Sequence, residues 1–230
     1  MYYGAPPIVT NGLVLALDAG NTKSYVSGST TWFDISGNNN SGSLVNGPTF
    51  SNQNGGCIVF DGVNDYVTST SNINITGSSP RTFECWVYVS QSIDRNVMGG
   101  GTETNGTMFD TIIWSQGGYL RVIGHYYGGG FDTTSTLPSR NTINLSQWNH
   151  IVHIYDGTVC SLYTNGIFSN SSTLPLTTGN NTVKLGRGNF SGGYNSFPGR
   201  GGIFRVYNRA LSQQEITQNY NATKTRFGLS

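Results

Sequence analysis

The chain has 230 residues, 12 Lys plus Arg against 11 Asp plus Glu, and a formal net charge of +1. Its basic residues are scattered (Lys23, Arg81, Arg121, Arg187, Arg226), so no run of them can neutralise a row of phosphates, which argues against nucleic acid and an anionic membrane surface as partners. The 4 Trp, 13 Tyr and 11 Phe argue against disorder, and the length suits one all-β domain.

Residues 1–10 read as an extended arm, because Pro6 and Pro7 block regular structure. Met1-Tyr2-Tyr3-Gly4-Ala5 has neither a basic start nor an apolar core, so it does not read as a secretory signal, and the expectation is folding in a cytoplasm. Gly12–Asp18 reads as a buried strand, and Ser36-Gly37-Asn38-Asn39-Asn40 as a turn-rich loop. Cys57–Phe60 and Tyr66–Thr68 flank Asp61-Gly62-Val63-Asn64-Asp65 as a hairpin. In Arg81–Val89 the residues Phe83, Cys85, Val87 and Val89 share one face; Glu84, Trp86 and Tyr88 share the other. Further strands are expected over Met108–Ser115, Tyr119–Tyr126, Trp148–Asp156, Val159–Tyr163, Thr182–Leu185 and Gly202–Tyr207, with turns at Asp156-Gly157 and Asn165-Gly166. One helix is expected, opened by the capping box Ser212-Gln213-Gln214-Glu215, with Ile216 and Tyr220 turned inward. Many short strands and one helical turn describe an all-β, two-sheet antiparallel sandwich.

Three scattered cysteines, Cys57, Cys85 and Cys160, lack the paired spacing of a zinc site and read as free, buried small hydrophobes. Asp61, Asn64 and Asp65 place oxygens near one another but fall short of a calcium shell, so they read as a turn bonding its own backbone; neither metal nor cofactor is expected. His150 and His153 stand three apart on a strand and point to opposite faces, which leaves no joint ligand pair; His150 reads as a structural hydrogen bonder beside Trp148. Two loops mix aromatics with Gly and Asn, a recognition-loop composition. They put Tyr126, Tyr127, Phe131, Phe190, Tyr194 and Phe197 forward as ligand- or partner-binding residues. The alternative is that these rings cover a sheet edge. Tyr2, Tyr3, Ile8, Phe227 and Leu229 lie at the ends and are candidate assembly contacts; packing back on their own sandwich is the alternative.

Five segments, in order, carry a resemblance. Thr31-Trp32-Phe33-Asp34-Ile35-Ser36-Gly37-Asn38, Phe60-Asp61-Gly62-Val63-Asn64-Asp65-Tyr66-Val67 and Phe83-Glu84-Cys85-Trp86-Val87-Tyr88 are three of them. Trp148-Asn149-His150-Ile151-Val152 followed by Leu162-Tyr163-Thr164-Asn165-Gly166 is the fourth, and Phe204-Arg205-Val206-Tyr207-Asn208-Arg209-Ala210-Leu211-Ser212 the fifth. Together they resemble the laminin G-like jelly rolls of the concanavalin A-like lectin and glucanase superfamily. The resemblance implies a sandwich over residues 12–220, an N-terminal arm over 1–11 and a tail over 221–230. The opening Gly12–Asn21 and the ending Ile216–Leu229 are similar to structural proteins of tailed bacteriophages. That similarity implies a virion structural, decoration or fibre-associated protein that partners other virion proteins, forms a homo-oligomer and binds a host-surface glycan. A stand-alone lectin-like module is the second reading, a degenerate glycanase the third. Glycanases need paired carboxylates across the scissile bond; the three glutamates Glu84, Glu103 and Glu215 form no Glu-x-Asp-x-Glu strand, so no enzymatic activity is expected.

Overall fold

The computed structural model describes residues 5–92, 94–104, 106–116, 119–126, 129–132, 143–180, 182–189 and 196–230, with backbone alone at 116, 119 and 129–132. The strands are β1 (Leu13–Asp18), β2 (Thr31–Trp32), β3 (Gly42–Val45), β4 (Thr49–Ser51), β5 (Cys57–Asp61), β6 (Tyr66–Ser69), β7 (Arg81–Val89) and β8 (Arg95–Gly101). They continue as β9 (Met108–Gln116), β10 (Tyr119–Tyr126), β11 (Gly129–Asp132), β12 (Trp148–Tyr155), β13 (Val159–Thr164), β14 (Ile167–Thr173), β15 (Lys184–Leu185) and β16 (Pro198–Tyr207). A single α-helix among the described residues, α1 (Gln213–Thr223), leads into a 3₁₀ turn, Lys224–Phe227. The first sheet runs β14-β13-β12-β7-β16-β5-β4, with β1 also on β16; the second runs β11-β10-β9-β8-β15-β6-β3-β2. This is the antiparallel sandwich expected from the sequence. Among the described residues no helix is long and apolar enough to cross a membrane.

Between the sheets lies the main core. Phe83, Cys85, Val87 and Val89 of β7 meet Phe109 and Ile113 of β9 and Val122 of β10. His153 points into this core, 3.0 Å from Thr111 Oγ1 and stacked on Phe109; burial, then the nearby Arg81 charge, lowers its pKa to about 3, so it stays neutral. His150 faces the other way, as the spacing requires. The three cysteines are buried and free.

The first sheet is buried on its outer face as well, because both chain ends lie across it. Trp86, Trp148, Cys57 and Ile203 form a second apolar layer with Phe227. Phe227 stacks on Trp86 with ring centroids 4.4 Å apart, and Trp86 Nε1 donates to Thr223 Oγ1 at 2.9 Å. On the same face Val9 packs with Val152, Ile154, Leu211 and Ile216. A buried polar knot joins these elements. Glu84 Oε1 accepts from Arg205 Nη1 at 2.7 Å and lies 3.0 Å from His150 Nε2. Asn219 Nδ2 donates to Glu84 Oε2 at 2.7 Å, while Asn219 Oδ1 accepts from the Val9 amide at 2.8 Å. Phe227 is therefore a core residue of its own sandwich, which corrects the expectation that it docks on a neighbour: burying an aromatic ring on Trp86 removes more apolar surface than leaving it on a free tail; the half-buried Leu229 packs in part against the same layer. Tyr2 and Tyr3 lie outside the described residues.

The Trp32-to-Asn40 loop shows what its motif does. β1 pairs with β16 on one side only, which leaves an open edge. Asp34 Oδ1 accepts from the Ala16 amide at 2.8 Å, and Asn38 Nδ2 and Asn40 Nδ2 donate to Leu13 O and Val14 O at 3.0 and 2.8 Å. Side chains thus stand in for a neighbouring strand and close the edge against pairing with another chain. The hairpin after β5 behaves likewise: Asp61 Oδ1 accepts from the amides of Val63, Asn64 and Asp65 at 2.8, 3.2 and 3.3 Å, the turn reading of that segment. These amides hold the Asp61 carboxyl below its usual pKa.

The pattern along the chain does not reveal β2, β3, β4, β8, β11 or β14. β8 ends in Gly99-Gly100-Gly101, a composition depleted in strands. Tertiary contact overrides it: a Cβ on Gly100 would stand 3.0 Å from the Phe83 ring. The capping box is present, with the Glu215 amide donating to Ser212 Oγ at 3.3 Å and the Ser212 amide to Glu215 Oε2 at 2.9 Å. Ser212→Ala is expected to cost about 0.5–2 kcal/mol, read as a lower urea midpoint; an unchanged midpoint would show that Arg209, which also grips Glu215, holds the helix start alone.

Candidate functional site

The outer face of the second sheet carries no covering helix among the described residues. Strand register writes a polar row across it. His125 of β10 pairs with Asp110 of β9, Asp110 with Gly99 of β8, and Gly99 with Lys184 of β15. Lys184 pairs with Thr68 of β6, Thr68 with Ser43 of β3, and Ser43 with Thr31 of β2. Directly opposed residues share a face, and the alternate positions Phe109, Leu185, Val67 and Trp32 lie in the inter-sheet core, so the whole row points outward. Lys184, Thr68, Ser43, Thr31 and His125 are half-buried. Two further rows flank it: Ile123–Ile112–Asn96 and Arg121–Trp114. Trp114 is half-buried, and the Arg187 guanidinium lies 5.4 Å over the Tyr66 ring.

One end of the row is rigidly built. Asp110 and Asn96 are fully buried although they face outward, because Gly188 and Asn189 lie over them. The Asn189 amide donates to Asp110 Oδ2 at 2.8 Å, and Asn189 Nδ2 to Gly101 O at 3.0 Å. Glycine is required on both sides of the carboxylate: a Cβ would come 1.9 Å from Asp110 Oδ1 at Gly99 and 2.2 Å from Asp110 Oδ2 at Gly188. Asn96 Oδ1 and Nδ2, Asn189 Oδ1 and Ser196 Oγ are buried without a hydrogen-bond partner among the described residues. Burial, then the neighbouring Arg187 charge, lowers the Lys184 pKa against the pull of Asp110 and Glu103, and burial lowers that of His125. The face offers donors and acceptors at fixed spacing, the requirement for gripping hydroxyl groups.

Several expected site residues lie elsewhere. Phe197 is 2% exposed and belongs to the inter-sheet core, so it is not a recognition residue: its amide bonds Gly186 O at 2.8 Å, which turns the ring inward. Tyr126 alternates with His125 and is half-buried, packed in part against the same core. Phe131 lies on β11, and its side chain, with Tyr127, Phe190 and Tyr194, falls outside the described residues. Asp110, Asn96, Lys184 and Trp114 were missed. The sequence signal for them is a lone Asp inside the apolar run Met108–Trp114, matched to a glycine run that leaves it room. Of the glutamates, Glu84 is buried beneath α1 and Glu215 is engaged by the cap and Arg209.

Comparison with known proteins agrees with this geometry. Among curated proteins no sequence matches. The structure is similar to domain 4 of AbnA, a GH43 extracellular arabinanase from Geobacillus stearothermophilus solved with arabinotriose, at TM-score 0.67 and 17% identity, over 90% of this chain and 98% of that one. It is similar to the binding domain of Paraclostridial Mosquitocidal Protein 1 at TM-score 0.67 and 18% identity, over 93% of this chain and 52% of that one. A Trypanosoma rangeli sialidase matches at TM-score 0.69 and 13% identity, over 97% of this chain and 37% of that one; the chain thus spans about half of the mosquitocidal binding domain and little over a third of the sialidase. At these identities the likeness is one of fold. A family model for the concanavalin A-like lectin/glucanases superfamily matches residues 61–217, and the chain therefore belongs to that superfamily, with a lectin-like jelly roll as its fold.

Proposed function

We propose that this chain is a non-catalytic carbohydrate-recognition domain that works through the outer face of its second sheet. The observation that carries the reading is the outward row from His125 through Asp110 and Lys184 to Thr31, anchored where Asp110 and Asn96 are locked under Gly188. Tyr66 and Trp114 supply apolar ring area beside that row, the usual partner for the C–H face of a sugar. That arabinotriose is bound by the domain 4 match supports the class of ligand. The likeness to the mosquitocidal binding domain supports binding rather than turnover.

The setting we propose is a bacteriophage particle, supported by the similarity of Gly12–Asn21 and Ile216–Leu229 to phage structural proteins. There the chain sits among other virion proteins as a homo-oligomer, and repetition of weak contacts to a host-surface glycan raises avidity through effective concentration. Binding to a glycan array is the first test. Lys184→Met removes a charged donor from the middle of the row, so affinity for the best array ligand is expected to fall about 10- to 100-fold, the worth of one charge-assisted hydrogen bond. Unchanged affinity, or no array ligand at all, would refute the site. Antibody labelling of purified particles tests the setting, and particles that carry none of the chain would refute it.

A further inference from the structure

The opposite sheet holds a second recess. A pocket of about 290 Å³ opens on the outer face of the first sheet, between the N-terminal arm, β1 and the loop that caps the β1 edge. Its apolar walls are Ile8 on the arm, Leu13 and Ala16 on β1, and Ile35 on the loop, with Asn21 and Ser36 among its polar lining. Ile35 is 39% exposed, and Phe33, two residues away, 47%. Two charged groups reach in. Arg205 is 4% exposed and pairs in register with Ala16; only its Nη1 is used, donating to Glu84, so Nε and Nη2 make no hydrogen bond to the described residues. Asp18 uses Oδ1 for the Gly20 amide and for Arg226, which leaves Oδ2 open.

We infer that this pocket binds one neutral, hexose-sized polyhydroxyl unit. Each charge in the lining is already compensated, Arg205 by Glu84 and Asp18 by Arg226, so a charged ligand would meet no uncompensated opposite charge and would pay desolvation for nothing. What remains open among the described residues is hydrogen-bonding capacity of both kinds: donors on Arg205, an acceptor on Asp18, and the hydroxyl of Thr10 at the rim. Hydroxyl groups satisfy donors and acceptors alike, and the aliphatic walls suit the C–H faces of a ring. The volume lies at the small end of ligand pockets, about 300 Å³, which admits one ring rather than a chain of them. The Thr223 hydroxyl also lines the pocket, but its proton goes to Asn219 O and it already accepts from Trp86.

The site is independent of the second sheet, and the test keeps them apart. ¹⁵N-labelled full chain is titrated with methyl α-D-glucopyranoside and methyl α-D-galactopyranoside, with D-glucuronate and D-glucosamine as charged probes. At least one neutral glycoside is expected to shift the amides of Asp18, Asn21 and Ser36 saturably, with Kd of about 1–10 mM. Thr10→Trp and Ile35→Trp, which fill the mouth from solvent-facing positions, are expected to weaken this at least about tenfold, whereas Lys184→Met leaves it unchanged. Amide spectra of each variant report that the fold is intact. No saturable shift with either neutral glycoside, saturation by a charged probe alone, or shifts that survive both mouth-filling variants would overturn the proposal.

Discussion

Glu84→Gln is expected to destabilise the chain by about 3–5 kcal/mol at neutral pH, because it removes one member of a buried charge cluster and leaves Arg205 without its partner. Glu84 is fully buried, and Arg205, His150 and Asn219 all contact its carboxylate. Burial alone would push this carboxyl up; Arg205, then the His150 hydrogen bond and Asn219, outweigh it and hold the pKa at about 2, below the ordinary 4.5. A folded-state pKa below the unfolded one gives stability that is complete above the unfolded value and is lost as pH falls through the folded one. The difference between Glu84→Gln and the parent is therefore expected to shrink as pH drops from about 4.5 towards 2. Urea unfolding at a series of pH values measures both. A variant within 0.5 kcal/mol of the parent, about the noise of an ordinary surface change, or a difference independent of pH, would show that the cluster does not hold the chain ends to the sheet.

Phe227→Ala is expected to cost about 3–5 kcal/mol, the range for emptying a buried aromatic site. The ring is 3% exposed and lies 4.4 Å from Trp86 and 4.6 Å from Trp148, centroid to centroid. Its removal uncovers two of the four tryptophans, so the emission maximum is expected to move to longer wavelength in the native state as well as the midpoint to lower urea. An unshifted emission with a lowered midpoint would mean that Tyr220, stacked 5.7 Å from Trp86, keeps the layer closed by itself. An unchanged midpoint would remove Phe227 from the core altogether. The pairing of these two variants matters because Glu84 and Phe227 act through one structure, the lid of chain ends on the first sheet. That lid is why β7 and β12 are buried on both faces, the state normally reached in sheets with helices on each side.

Which parts were legible in the sequence follows from the range of the forces involved. The alternation of β7, the Asp156-Gly157 hairpin, the Ser212 capping box and the opposed directions of His150 and His153 are local, set by a period of two or by hydrogen bonds within three residues, and the pattern of side chains alone determined them. So did the Asp61 turn, whose carboxylate bonds amides two to four residues on. The composition, rich in turn formers and aromatics, determined the sandwich class.

Tertiary structure decided the rest. Gly99-Gly100-Gly101 has a composition poor in strand formers, yet it is a strand because Phe83 and Asp110 occupy the space its side chains would need. The binding-loop reading of Phe197 failed because contact with the inter-sheet core, and not the composition of its own loop, decides that the ring faces in. The polar row exists only once seven strands, drawn from residues 31 to 184, are laid side by side in the order of the second sheet. Phe227 reads as tail and Asn219 as the last turn before it, and they became core because Trp86, Trp148 and Glu84, more than 70 residues away in sequence, put apolar area and a buried charge on the one face the chain ends can reach.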